Sequence, residues 1–218
     1  MDFRRFIGDI HGKMHAYTSI CDSSPHPTVQ VGDYGMGFVD NWILPSQAKQ
    51  HRFIRGNHDS PAVCKQQLNY IEDGTIEDGV MFIGGADSID KQWRVSGFDW
   101  WEDEQLSMEQ LGDMIQLAED QKPSVLITHD APDFIADYIC QSRGWPKYND
   151  DDRTRKAFNV LYGQHRPKLH IFGHWHIDLD IIYNETRFIC LNELSYIDID
   201  LDDPHNLDAK IVKYQKFS

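Results

Sequence analysis

Five short strand-like segments in this 218-residue chain, one of them apolar-basic, stop at the same kind of place, a crowd of carboxylate, amide and imidazole, opened in four of the five by a glycine. Residues 3–7 lead into Gly8-Asp9-Ile10-His11-Gly12, and residues 28–31 into Gly32-Asp33-Tyr34-Gly35. Residues 51–55 lead into Gly56-Asn57-His58-Asp59, residues 125–128 into His129-Asp130-Ala131-Pro132, and residues 168–172 into Gly173-His174-Trp175-His176. Short apolar runs closed by turn residues are predicted as buried strands. Helices are predicted between some of them, over 13–21, from Ser60-Pro61 onward, and over 153–162. Strands alternating with helices make a layered α/β fold, in which ligand-binding loops gather at the strand carboxyl ends. The chain is therefore expected to bring Asp9, His11, Asp33, Asn57, His58, His129, His174 and His176 into one small volume.

The spacing inside each cluster has a chemical use. Asp-x-His and His-x-His place alternate side chains on one side of an extended segment, so both can grip one site or two adjacent ones. The Asn57 amide oxygen can ligate a metal without adding charge, and the neighbouring His58 then stays free for proton transfer. Carboxylate, amide and imidazole together suit a pair of borderline first-row cations. Asp33 stands alone in its loop, as a carboxylate bridging two metals would. Taken singly, each cluster reads as an ordinary turn or a packed histidine. All five in this order, each at a strand end, outweigh that reading.

The rest of the chain is plainer. Residues 80–83 read as a strand closed by Gly84-Gly85. Ser107 with Gln110 forms a capping-box pattern ahead of a helical stripe of Leu111, Met114, Ile115 and Ala118, a core face. Residues 143–152 read as a surface loop, and residues 179–183, 187–191, 196–199 and 210–214 as antiparallel strands. No repeat or linker interrupts the chain, so residues 1–218 are expected to form one domain. A formal net charge of −14 argues against a broad nucleic-acid footprint or an anionic membrane partner. Bound cations can reverse that sign locally, so phosphate chemistry stays open. The four cysteines, Cys21, Cys64, Cys140 and Cys190, lack Cys-x-x-Cys spacing and read as reduced, buried thiols. With no signal peptide and no apolar run long enough to span a bilayer, a cytoplasmic protein is expected.

The order Gly-Asp-x-His-Gly, Gly-Asp, Gly-Asn-His-Asp, Thr-His-Asp, Gly-His-x-His resembles the calcineurin-like metallophosphoesterases, over residues 3–176. The stretch Gly84-Gly85-Ala86-Asp87-Ser88-Ile89-Asp90 with Trp100-Trp101 looks like a bacterial and phage branch. The resemblance implies a four-layer α/β/β/α sandwich with a binuclear metal centre at the strand carboxyl ends. It implies one metal on Asp9, His11, Asp33 and His176, and another on Asp33, Asn57, His129 and His174. It implies His58 as the acid beside the leaving group, and two divalent ions, Mn²⁺ first with Fe, Zn or Ni as alternatives. A hydroxide bridging the metals would attack phosphorus in such an enzyme. The protein-phosphatase members carry Gly-Asp-x-x-Asp-Arg-Gly at the second motif, where this chain has Gly32-Asp33-Tyr34-Gly35-Met36-Gly37. The phosphate-binding arginines of that subfamily are absent, and Met36 replaces the carboxylate that would orient His58. Asp59 is a substitute orienter on paper, though such a residue more often caps a helix.

A basic group is still needed to grip substrate. Arg143 and Lys147, flanking Gly144-Trp145-Pro146, are the candidate pair, and Arg94 with Trp100-Trp101 is a second candidate wall. The expected function is hydrolysis of a small phosphorylated substrate, a nucleotide first. A cyclic-nucleotide or other phosphodiesterase or nuclease is the alternative. A non-catalytic scaffold on the same fold ranks below both, since every motif residue is present.

Overall fold

In the computed structural model, residues 2–39, 50–146 and 152–215 are described. The N-terminal strand β1 (Phe3–Ile7) pairs in parallel with β2 (Thr28–Gln30), and β2 in parallel with β3 (His51–Phe53). On the other side of β1, β10 (Ser195–Asp200) pairs antiparallel with β1, and β11 (Val212–Lys213) antiparallel with β10. This gives a five-stranded sheet of order β11-β10-β1-β2-β3. A second sheet holds β4 (Ile76–Glu77), β5 (Val80–Ile83), β6 (Val125–Thr128), β7 (Leu169–Phe172), β8 (Leu179–Tyr183) and β9 (Thr186–Cys190). Its order is β4-β5-β6-β7-β9-β8, with six strands. Strands β5, β6, β7 and β9 run parallel, and β4 and β8 close the edges antiparallel.

Alternation along each strand explains the stacking. Phe6 enters the layer between the sheets while Ile7 faces the other way; Val125 and Ile127 enter that layer while Leu126 faces out. Both faces of β6 are buried, so Val125-Leu126-Ile127 reads as a continuous apolar run. The outer face of the first sheet is covered by α1 (Met14–Asp22) through Met14, Tyr17, Ile20 and Cys21. The outer face of the second is covered by α3 (Met108–Gln121), α4 (Asp133–Arg143) and α5 (Arg153–Gln164), through Leu111, Ala118, Ile135, Ile139, Phe158 and Leu161. Between β3 and β4 lies the single turn α2 (Pro61–Cys64). The result is an α/β sandwich of two mixed sheets flanked by helices. All four cysteines are buried, and none is in a disulfide. No helix among the described residues is long and apolar enough to cross a membrane.

The capping box forms as predicted: Ser107 Oγ accepts from Gln110 N, and Gln110 Oε1 accepts from Ser107 N. Three readings change. Residues 187–191 were expected in an antiparallel set, yet β9 is also parallel to β7, because it continues the second sheet after a hairpin with β8. The predicted loop over 143–152 begins inside α4, whose last residue is Arg143; residues 147–151 lie outside the described ones. Helix α4 itself had no prediction, although Ile135, Ala136, Ile139 and Cys140 are its buried face at helical spacing.

Candidate metal centre

The five strand-end clusters do converge. Asp9, His11, Asp33 and His176 each direct one ligand atom into a group spanning no more than 4.8 Å, and Asp33, His129 and His174 do the same beside it. Asp33 belongs to both groups. Asn57 lies against the second: its Oδ1 is 3.1 Å from His129 Nε2 and 3.0 Å from His174 Nδ1. Around the first, His176 Nε2 is 3.0 Å from Asp9 Oδ2 and 2.9 Å from His11 Nε2.

Local backbone geometry makes this possible, at some strain. His11, Asp33, His174 and His176 all sit at positive φ, between 43° and 66°. Such residues cost of order 1–3 kcal/mol each and cluster where function demands a particular aim. The motif glycines have a different job. A Cβ on Gly56 would overlap Asp33 Oδ1, and one on Gly173 would overlap Asp9 Oδ1. Each of these two motifs begins with glycine because a carboxylate from another motif presses against it.

The partners fix which atoms face inward. The Nδ1 of His129 donates to Val31 O at 2.9 Å, which turns Nε2 toward Asp33 and Asn57. Both oxygens of Asp9 accept from His174 N at 3.1 Å. The Asn57 amide nitrogen donates to Ser88 Oγ at 3.0 Å, and Ser88 Oγ donates to Glu104 Oε2 at 2.6 Å. That relay leaves the Asn57 oxygen no choice but the centre. Behind His174 stands Asp130, held by Arg155 Nε at 2.6 Å, Trp175 Nε1 at 2.8 Å and Ala131 N at 2.7 Å. Ser88, Glu104, Asp130 and Arg155 were not foreseen as part of the site. Asp130, next to His129, and Ser88, inside the stretch from Gly84 to Asp90, had a signal in their motifs; Glu104 and Arg155 had none.

Charge tells the same story. Burial favours a neutral His129, yet the Asp33 carboxylate overrides it and pushes the imidazole up to about 10. Burial would raise Asp33 too, and His129 instead holds it well below the ordinary carboxylate range. His174, by contrast, is drawn down to about 4 by burial. Two buried carboxylates and four imidazoles converge here. The oxygen and nitrogen donor set, the 2.9 Å approach of two ring nitrogens and the shared carboxylate all fit a pair of divalent cations.

Asp59 neither orients His58 nor caps α2. Its carboxylate accepts from the backbone N–H of Tyr34, Gly35, Met36 and Gly56, tying the second motif to the third. The cap is Ser60, whose Oγ accepts from Val63 N. What stands against the His58 ring is Arg94, with Nη2 2.7 Å from Nε2 and Nη1 3.0 Å from Nδ1. Burial lowers the His58 pKa; Asp33 opposes this and Arg94 adds to it.

The sequence matches the calcineurin-like phosphoesterase family over residues 5–178. The chain belongs to that family. With both metal-binding clusters assembled, this member is a metal-dependent phosphoesterase. Solved structures of similar fold include a candidate 5′-nucleotidase from Staphylococcus aureus in complex with alpha-ketoglutarate, 11% identical with a TM-score of 0.55. This chain is covered to 99% by that match and spans 55% of the S. aureus chain. Phosphopantetheinyl hydrolase from Mycobacterium tuberculosis is 14% identical, with a TM-score of 0.50 and coverage of 98% and 96%. At these identities the likeness is one of fold. No curated protein matches the sequence.

Proposed function

We propose that this phosphoesterase hydrolyses an ester of a small phosphorylated molecule, with a nucleotide as the first class to test. One observation carries the reading: a cavity of about 310 Å³ opens over the metal clusters, and its wall mixes cations with aromatic faces. His58, Arg94 and Arg155 supply the polar side, and Ile89, Trp145 and Trp175 the flat and apolar one. A cavity of this size holds a small molecule, and the tryptophans offer stacking surface for a planar group. Arg143 ends α4 exposed, its guanidinium 6.0 Å from the Trp145 ring centroid. We assign it to supporting Trp145, which lines the cavity as Arg143 does not. Lys147, the other residue of the pair, lies outside the described residues.

Asp9, His11, Asp33 and His176 would hold one cation, and Asp33, Asn57, His129 and His174 the other. When bound, such cations polarise phosphoryl oxygens and make water more acidic. The chain's own groups do the rest. Asp33 is fixed by the His58 backbone N–H at 2.8 Å, so the shared ligand and the acid move as one unit. His58 delivers a proton to the leaving oxygen. An arriving phosphate dianion raises the imidazole's proton affinity, opposing the effect of burial and Arg94. The walls of the cavity shed water from the substrate. Mn²⁺ is the first metal to supply, with Fe, Zn and Ni as alternatives from a nitrogen and oxygen donor set. One domain over 1–218 and a cytoplasmic location complete the proposal, the latter supported by four cysteines that form no disulfide.

The test is a screen of nucleotides, sugar phosphates and aryl mono- and diesters with Mn²⁺ present. Turnover of at least one class, abolished by a chelator, is expected. A protein carrying two metals per chain and turning over none of them would sink the proposal.

A further inference from the structure

Arg94 comes from outside the five motifs, on the segment that also carries Ser88 and Glu104. Its guanidinium is held on three sides. Nε lies 2.7 Å from Asp90 Oδ1, Nη2 donates to Asp90 Oδ2 at 2.9 Å, and Nη1 donates to Asp99 O at 3.1 Å. A guanidinium has five N–H donors and no acceptor. The two that remain face the His58 ring, one against each nitrogen, at 2.7 and 3.0 Å. A neutral imidazole can accept only one of them, and an imidazolium neither. In either protonation state this corner of the cavity has more donors than acceptors. The Arg94 side chain is only 9% exposed, so water cannot freely make up the deficit.

An anion can. We infer that the Arg94 guanidinium, beside His58, is a donor clamp for a non-bridging oxygen of the substrate's phosphate. The arginines that grip phosphate in the protein-phosphatase branch are missing from the second and third motifs, and Arg94 meets the same need from a different element. Asp90 and the Asp99 carbonyl orient the fork in advance, so little side-chain freedom is lost when phosphate binds. Asp90 also cancels the arginine's net charge locally. The clamp therefore selects by hydrogen-bond geometry, and favours a tetrahedral oxyanion over other anions of equal charge.

The inference rests on the reading of this cavity as a phosphate-ester site, and its test does not need turnover. The probe is inorganic phosphate, titrated calorimetrically into the Mn²⁺-loaded protein. Arg94→Ala is expected to weaken phosphate binding on the order of 10- to 100-fold with metal stoichiometry unchanged. Arg94→Lys should recover only part of the loss, because a point charge lacks the fork. On any ester the protein hydrolyses, Arg94→Ala should raise KM by a similar factor, whatever the leaving group. Unchanged phosphate affinity in Arg94→Ala would overturn the inference, as would full recovery by lysine. Phosphate binding that depends on Arg94, without turnover of any ester, would leave the clamp standing and remove the hydrolytic reading. Circular dichroism and thermal melting of both variants establish that they are folded.

Discussion

Asp33 carries more of this site than any other side chain. It belongs to both metal-binding clusters, and its Oδ1 accepts from the His58 backbone N–H. Asp33→Ala should therefore drop bound metal from about two ions per chain to well below one, with turnover lost in step. Metal analysis of the purified variant checks this; two ions retained with full turnover would show that Asp33 is not shared. His58 makes a different prediction, because it belongs to neither cluster. A nitrophenolate leaves well without a proton, whereas a ribose alkoxide does not. His58→Ala should lose roughly 10²–10⁴-fold in kcat on an alkyl phosphate and distinctly less on a nitrophenyl phosphate. Metal content should not change. Equal losses on the two esters would assign His58 an electrostatic part instead of proton transfer.

At the scale of elements, the segment between β5 and α3 does what neither neighbour can. It has little regular structure beyond one 3₁₀ turn at Lys91–Trp93, yet it reaches the centre twice, through Ser88 at Asn57 and through Arg94 at His58. Glu104 is the anchor. It accepts from both Ser88 N and Ser88 Oγ while 2% exposed, and burial raises its pKa despite those donors. Glu104→Ala should release Ser88 and let the Asn57 amide turn. Such supporting residues typically change metal affinity about 10- to 100-fold, and here the loss should fall on the cation held with His129 and His174. Competition with a chromophoric chelator would resolve two affinities and show whether one alone has weakened. Equal weakening at both would mean that the segment supports the whole cavity and not Asn57 in particular.

Across the whole molecule, the second sheet's outer core hides one titratable group that the chemistry does not use. His170 is fully buried on β7; its Nε2 lies 2.6 Å from Thr128 Oγ1 and its Nδ1 3.1 Å from Tyr162 Oη. Thr128 Oγ1 donates onward to Asp130 O at 2.5 Å, so His170 Nε2 must be the donor to it and Nδ1 the acceptor from tyrosine. Burial draws the ring down to about 3. Above about pH 6.5 the ring is neutral in both folded and unfolded chains and contributes no pH dependence. Between there and about 3 the unfolded chain takes up a proton that the fold refuses. Stability should therefore fall with acid, by up to roughly 1.4 kcal/mol per pH unit from this group. Denaturant midpoints between pH 7.5 and 4.5, with ring titration followed by NMR, test it. A His170 resonance titrating near 6.5 in the folded protein would refute the assignment.

Much of the centre could be read from the chain because its ligands are local to strand ends. A glycine and a carboxylate or imidazole straight after an apolar run need only a strand beneath them to be aimed. The positions of most strands, helix caps such as Ser107 and the family likeness all rest on patterns of a few residues, and the sequence alone was sufficient for them. It was not sufficient where a side chain's partner is far away in the chain. Nothing near Asp59 announces that it gathers four backbone N–H groups from two loops. Arg155 sits in an ordinary helical pattern, and only the packing of α5 on the second sheet turns it toward Asp130. Arg94 and Arg143 are equally basic, and each lies within two residues of a tryptophan in sequence. Tertiary structure separates them in space: the first is pulled across the site by Asp90 and the Asp99 carbonyl while the second is left at the exposed end of α4. Local pattern determines which groups exist at the site; chain crossing determines which of them a substrate meets.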